Sequence, residues 1–178
     1  FEAEVPRRRT RFRYHLEVEW ESGLRERLDD PYQWGTLLPT LGLLAFARGL
    51  HWRPHRLLGA HPVRWAGVAG VSFAVWAPEA QAVSVVGDFN LWDARRHPMR
   101  RRVEAGVWEL FIPGVLAGAC YKYELLDAQG ERRLKADPLA RQAELRPDTA
   151  SCVSTAQPAQ EGRWPWQAPM AGPLPAGW

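Results

Sequence analysis

Apolar and polar residues alternate along most of the chain. Tyr14, Leu16, Val18 and Trp20 share one face, and His15, Glu17 and Glu19 share the other. The same period of two returns in Val71, Phe73 and Val75, in Val83 and Val85, in Trp108, Leu110 and Ile112, and in Tyr121, Tyr123 and Leu125. This period turns every second side chain to one side of an extended backbone, so it predicts half-buried antiparallel strands. Turn signals separate them at Ala77-Pro78, Gly87-Asp88, Pro113-Gly114 and Gln129-Gly130. Short strands so punctuated predict an all-β fold, an immunoglobulin-like β-sandwich.

Two stretches superpose without a gap at an offset of 107 residues: Tyr14–Tyr32 over Tyr121–Leu139. Identities fall at Tyr14/Tyr121, Glu17/Glu124, Gly23/Gly130, Arg25/Arg132, Asp30/Asp137 and Pro31/Pro138. Each copy reads as an alternating strand, a glycine turn, a polar strand and an Asp-Pro stop, since proline lacks the ladder N–H. A duplicated module is expected. Residues 1–35 are then the last hairpin of a truncated first sandwich, and 58–153 a complete second one. Residues 36–57, apolar but interrupted by Pro39, Gly42 and Pro54, form a linker of short helical turns packed against both. From Ser154 to Trp178 five prolines and three glycines break any period, so an irregular tail is expected.

Composition narrows the function classes. The chain has 178 residues, 46% of them hydrophobic, enough for a buried core. Its charge-free stretch, Pro31–Ala47, is too short and too broken to span a bilayer, so no membrane partner is expected. The chain opens on Phe1 with a basic run and no apolar leader, which reads as a piece of something longer. Cys120 and Cys152 support neither a disulfide scaffold nor a zinc site; they fit a reducing interior and a cytoplasmic location. Cys120 itself reads as a small apolar residue. The net charge of +3 is carried by the first thirteen residues. The cluster Arg95, Arg96, Arg100, Arg101 and Arg102 has no helix behind it and reads as a solvated loop, not a nucleic-acid footprint. His61 and His97 each precede proline without a second ligand at metal spacing, and His15 lies on a polar strand face. No metal or cofactor is expected.

Several motifs run together through the second sandwich. They are Leu58-Gly59-Ala60-His61-Pro62, Phe73-Ala74-Val75-Trp76-Ala77-Pro78, Gly87-Asp88-Phe89-Asn90-Leu91-Trp92-Asp93, Arg95-Arg96-His97-Pro98-Met99, Trp108-Glu109-Leu110-Phe111-Ile112-Pro113-Gly114 and Lys135-Ala136-Asp137-Pro138. Together they resemble the amino-terminal part of bacterial 1,4-α-glucan (glycogen) branching enzymes. The resemblance is to the family-48 carbohydrate-binding module, preceded by the end of the extra module that longer members carry. It implies a retaining glucanotransferase as the parent, whose paired carboxylates sit on a (β/α)₈ barrel of about 250 residues. No such barrel can fit in this chain, so none of its acidic residues is expected to be catalytic and the chain is expected to be inactive alone. Its expected partners are α-glucan chains and that barrel.

Ten tryptophans suit a glucan binder, because pyranose C–H faces stack on indoles, although most indoles pack in cores. Trp92, after the Gly87-Asp88 turn, is the best candidate platform, with packing against its own loop or against the missing barrel as the competing role. Lys122, opposite in facing to Tyr121 and Tyr123, and Asn90 are the expected hydrogen-bonding groups, with an Asx turn as the competing role for Asn90. Trp76 and Trp108 are placed in the core. The resemblance also implies a second stacking tryptophan after the next turn, but Glu131 and Arg132 stand there. The alternative function is a free-standing glucan-binding or scaffold module, against which the two-strand remnant argues through its uncovered edges.

Overall fold

The computed structural model describes residues 12, 14–19 and 21–154. Trp20 and the tail beyond Ser154, both subjects of expectations above, lie outside them. Two antiparallel sheets face each other. One contains β3 (Gly59–Trp65), β4 (Val68–Trp76), β7 (Val107–Pro113) and β6 (Arg100–Arg102), in that order. The other runs β10 (Gln142–Ala143), β11 (Ser151–Cys152), β8 (Cys120–Leu126) and β5 (Ala82–Gly87), with β9 (Arg132–Lys135) also paired to β8. This is the expected all-β sandwich. Pro62 is tolerated in β3 because β3 is an edge strand and its missing N–H interrupts no inner ladder.

The alternation delivers the core. Val71, Phe73 and Val75 of β4 meet Val83 and Val85 of β5, Trp108, Leu110 and Ile112 of β7, and Tyr121 and Tyr123 of β8. Trp108 is buried, as expected, and its indole N–H donates to Ala77 O at 2.9 Å. Trp76 is a correction. It is 56% exposed, because it follows inward-facing Val75 and the pleat turns it outward. There its ring meets Phe46 edge-on, with centroids 6.3 Å apart. Between the sheets the chain crosses over at His97–Met99. Met99 N donates to Val83 O and Val85 N donates to His97 O before β6 joins β7.

The outer face of β4 and β7 is covered as well. Helix α1 (Thr40–Ala47) packs there, bringing Leu43 against Leu57, Leu58, Ala74 and Val107. Residues 36–57 thus hold the eight-residue α1 and a 3-10 turn (Pro54–Arg56), and another 3-10 turn (Pro31–Trp34) precedes them. Gly42 stays inside the helix because Leu57 and Pro39 press to within 3.3 Å of where a Cβ would sit. An ion cluster anchors the approach. Glu109, buried on β7, accepts from Leu37 N at 2.9 Å and Leu38 N at 3.0 Å through Oε2, and from the Arg102 guanidinium through Oε1. Arg102 also donates to Leu38 O, Thr40 Oγ1 and Glu104 Oε1. Two charges removed from water are stable here because nearly every donor and lone pair is used.

The amino-terminal hairpin, β1 (Leu16–Glu19) with β2 (Arg25–Leu28), repeats the β8–β9 hairpin in register. Leu16 opposes Leu28 as Tyr123 opposes Lys135, and Glu19 opposes Arg25 as Leu126 opposes Arg132, all at the 107-residue offset. Gly23 and Gly130 take the left-handed backbone that the two turns require, with φ of 79° and 83°. Tyr32 ties this part to the sandwich: its hydroxyl donates to Pro98 O, and Arg100 donates to its carbonyl and lies over its ring.

Candidate functional site

The Gly87 end of the β5–β8 pair carries the residues singled out for ligand contact. Gly87 opposes Tyr121, and an added Cβ there would collide with the Cys120 carbonyl, so the chain can turn this close to β8 only with glycine. Asp88 holds the turn with both oxygens. Oδ2 accepts from Cys120 N at 2.9 Å and Oδ1 from the Trp92 indole N–H at 3.3 Å. Leu91 and Trp92 then both take left-handed backbone, φ 57° and 60°, which is costly for large side chains. Trp92 is left 42% exposed, its ring oriented by Asp88.

Lys122 points outward, as its position between buried Tyr121 and Tyr123 requires, and its ammonium donates to Thr149 Oγ1 at 2.8 Å. Trp92, whose N–H donates to Gly87 O, and Lys122, which opposes Val86, both lie near the Gly87 end of the β5–β8 pair. Asn90 does not join them, which corrects its expected contact with a ligand. It is 1% exposed. Its carboxamide oxygen accepts from Gly87 N at 2.9 Å, and its nitrogen donates to Val85 O and to His97 Nδ1, at 2.9 and 2.8 Å. All its hydrogen-bonding capacity is directed inward, so it acts as an internal strut for the loop that presents Trp92. The position after the next turn, where a second tryptophan would stand, holds Arg132 in an ion pair with Glu124 at 2.7 Å.

His97 completes the strut. Its ring packs edge-on against Phe89, and burial, reinforced by Arg96, pushes its pKa down to about 4. A neutral ring is what Asn90 needs, because Nδ1 must accept. His61 is also held low, chiefly by burial, and its Nε2 lies 2.9 Å from Leu58 O.

A buried carboxylate lies between the sheets, away from this surface. Asp137 Oδ2 accepts from Tyr121 Oη at 2.6 Å and Tyr123 Oη at 3.4 Å, Oδ1 accepts from Leu139 N, and its own N–H donates to Ser151 Oγ. Burial first, and the Asp137 charge second, hold both tyrosines protonated. Both carboxylate oxygens are thus met by donors, which ties the end of β9 to β8. Sequence reasoning also missed the meeting of Cys120 and Cys152, directly opposed on β8 and β11 with sulfurs 3.5 Å apart. A spacing of this length carries no signal of register. No helix among the described residues is long and apolar enough to cross a membrane.

Comparison with known proteins adds a family to this geometry. The family "Carbohydrate-binding module 48 (Isoamylase N-terminal domain)" matches residues 57–140. Among solved structures, Klebsiella pneumoniae pullulanase complexed with maltotriose is similar at 30% identity with a TM-score of 0.43, over 55% of this chain and 9% of that one. Ligand-free PulA from Klebsiella pneumoniae is 24% identical with a TM-score of 0.46, over 78% of this chain and 12% of that one. PulA from Klebsiella oxytoca is 24% identical with a TM-score of 0.43, over 81% and 13%. The chain thus spans a small part of the length of these proteins. Residues 57–140, which hold strands β3–β9 and the turn that presents Trp92, carry a carbohydrate-binding module 48 domain.

Proposed function

We propose that the chain serves as the non-catalytic front of an α-glucan-active enzyme, a 1,4-α-glucan branching enzyme, where it holds glucan chains near a catalytic barrel carried elsewhere. The observation that carries this reading is Trp92. A large indole is kept on a left-handed backbone, half exposed and oriented by Asp88, at the same sheet end as Lys122. Strain of this kind persists where the surrounding structure enforces it, and a sugar ring offers the apolar face such an indole can stack upon. The motifs around Leu58–Pro62, Arg95–Met99 and Trp108–Gly114 support the branching-enzyme assignment over other α-glucan enzymes.

The amino-terminal hairpin belongs, in this reading, to a first sandwich of the same kind. What supports it is the shared register of β1–β2 and β8–β9 together with the matching Tyr–Asp hydrogen bonds. The two free thiols suit the reducing cytoplasm.

Affinity electrophoresis in glycogen-containing gels tests the binding. The chain is expected to be retarded, and Trp92→Ala to lose most of the retardation. Unchanged migration of Trp92→Ala would remove the platform assignment. With amylose and iodine the chain alone is expected to leave the absorbance maximum unmoved; a shift would place catalytic chemistry within it.

A further inference from the structure

Among the described residues, Cys120 and Cys152 form a directly opposed pair of thiols that the binding role leaves unused. Their strands pair antiparallel with Cys120 facing Cys152, and the adjacent Val153 N donates to Ala119 O at 3.0 Å. Alternation along the ladder then makes the cysteines a pair without mutual backbone bonds, where opposed Cα atoms approach to about 4.5 Å and side chains stand closest. That spacing falls at the short end of what a disulfide spans. The sulfurs already touch at 3.5 Å. Cys120 is partly exposed while Cys152 is buried behind it, so a reagent reaches one thiol and the other is positioned to resolve it.

We propose that this corner of the sheet is a redox modification site, where a small-molecule disulfide converts the two thiols to a reversible Cys120–Cys152 cross-strand disulfide. The Cys120 thiolate attacks one sulfur of the reagent, forming a mixed disulfide and expelling a thiolate that takes up the Cys120 proton. Cys152 then loses its proton and attacks Cys120 Sγ, forming the intramolecular bond and expelling the second thiolate. The protein loses two electrons and two protons, and the reagent becomes two thiols. A reducing dithiol reverses both steps.

The surroundings set the rate and the consequence. Cys120 faces Cys152 and Glu144; the Asp88 carboxylate receives its backbone N–H, and Lys122 stands two residues along the same face, engaged with Thr149. Burial, the Cys152 contact and the Glu144 charge raise the Cys120 thiol. Formation is therefore slow at neutral pH and speeds up as pH rises. Once formed, the bond staples β11, with its buried Ser151 and the core residue Val153 that follows it, to the central strand β8.

The test uses the whole chain incubated with oxidised glutathione at pH 7 and pH 8.5, followed by intact mass, alkylation and peptide mapping. The expected product is a monomer that has lost two hydrogens, resists alkylation and yields a crosslinked Cys120–Cys152 peptide. It should form roughly tenfold faster per pH unit and revert with dithiothreitol. Its melting temperature should rise by about 5 °C or more, because the crosslink restricts the unfolded chain. Cys152→Ser should instead keep one glutathione on Cys120. Stable glutathione adducts on the wild-type chain, covalent dimers, or two thiols that remain alkylatable at pH 8.5 would each overturn the proposal. The wild-type mapping decides it even if the variant does not fold.

Discussion

The hydroxyl of Tyr121 lies 2.6 Å from Oδ2 of Asp137, and at the 107-residue offset Tyr14 donates to Oδ2 of Asp30 in the same way. The second oxygen is matched too: Asp137 Oδ1 accepts from Leu139 N at 2.8 Å, and Asp30 Oδ1 from Tyr32 N at 2.7 Å. One device, a strand-borne tyrosine tied to the aspartate that stops the next strand, therefore occurs twice. Its energetics differ because its burial differs. Asp137 sits in the core with a second tyrosine on it, whereas Asp30 is only half-buried. Asp137→Ala strands the buried Tyr121 hydroxyl and the Leu139 N–H, leaves the Tyr123 hydroxyl only its long bond to Ala74 O, and should cost about 3–4 kcal/mol in urea denaturation. Asp30→Ala removes a local cap that water can partly replace, and should cost about 1 kcal/mol. Equal losses would refute this account of burial.

The strut formed by Asn90 and His97 makes stability depend on pH. His97 titrates at about 4 in the fold against an ordinary 6.5, with burial the main cause. The unfolded chain therefore binds the extra proton first. The stabilisation is complete above about pH 6.5 and drains away as pH falls toward 4. The ring retains some solvent contact, which trims the loss to about 2 kcal/mol. His61, shifted in the same direction, adds to it. Denaturation of the wild type at pH 7.5 and 4.5, beside His97→Gln, isolates the His97 part. The variant should lose less stability on acidification, since its amide oxygen still accepts from Asn90 without titrating.

Glu109 holds the linker, with one oxygen on two backbone N–H groups and the other on Arg102. Glu109→Ala leaves the guanidinium buried without its main partner and frees Leu37 and Leu38. A cost of about 3–5 kcal/mol is expected. Limited proteolysis should then cut within residues 36–53 while β3–β9 stay protected. A double-mutant cycle with Arg102→Ala should recover much of the loss, because removing both charges leaves neither uncompensated.

The strands were readable because burial on one face writes itself into the sequence at every second residue. Apart from Trp76, which the strand period itself turns outward, the failures share one cause: each depends on contacts between distant segments that no local period encodes. Trp76 looked like core because it is apolar in an apolar strand, yet the pleat places it one step out of phase with Val75. The Glu109–Arg102 clamp reaches a linker some seventy residues earlier, and the opposition of Cys120 to Cys152 depends on strand register. Asn90 was half legible. Its Asx chemistry was visible, but that His97 would take its remaining donor depended on the chain crossing between sheets.

The turn that presents Trp92 stores strain that can be measured apart from binding. Leu91 and Trp92 are consecutive left-handed residues, and Leu91 is 77% exposed, so its side chain gains little from burial in return. Glycine adopts this backbone without the Cβ penalty. Leu91→Gly should therefore relieve about 1 kcal/mol of strain, offset in part by the greater freedom of the unfolded chain. The net expectation is a small gain or no change in stability, with Trp92 still tied to Asp88. Glycogen retardation should be retained if the indole is the contact. Stability that falls by more than about 1 kcal/mol would mean that the Leu91 side chain anchors the turn, and that the strain is repaid locally.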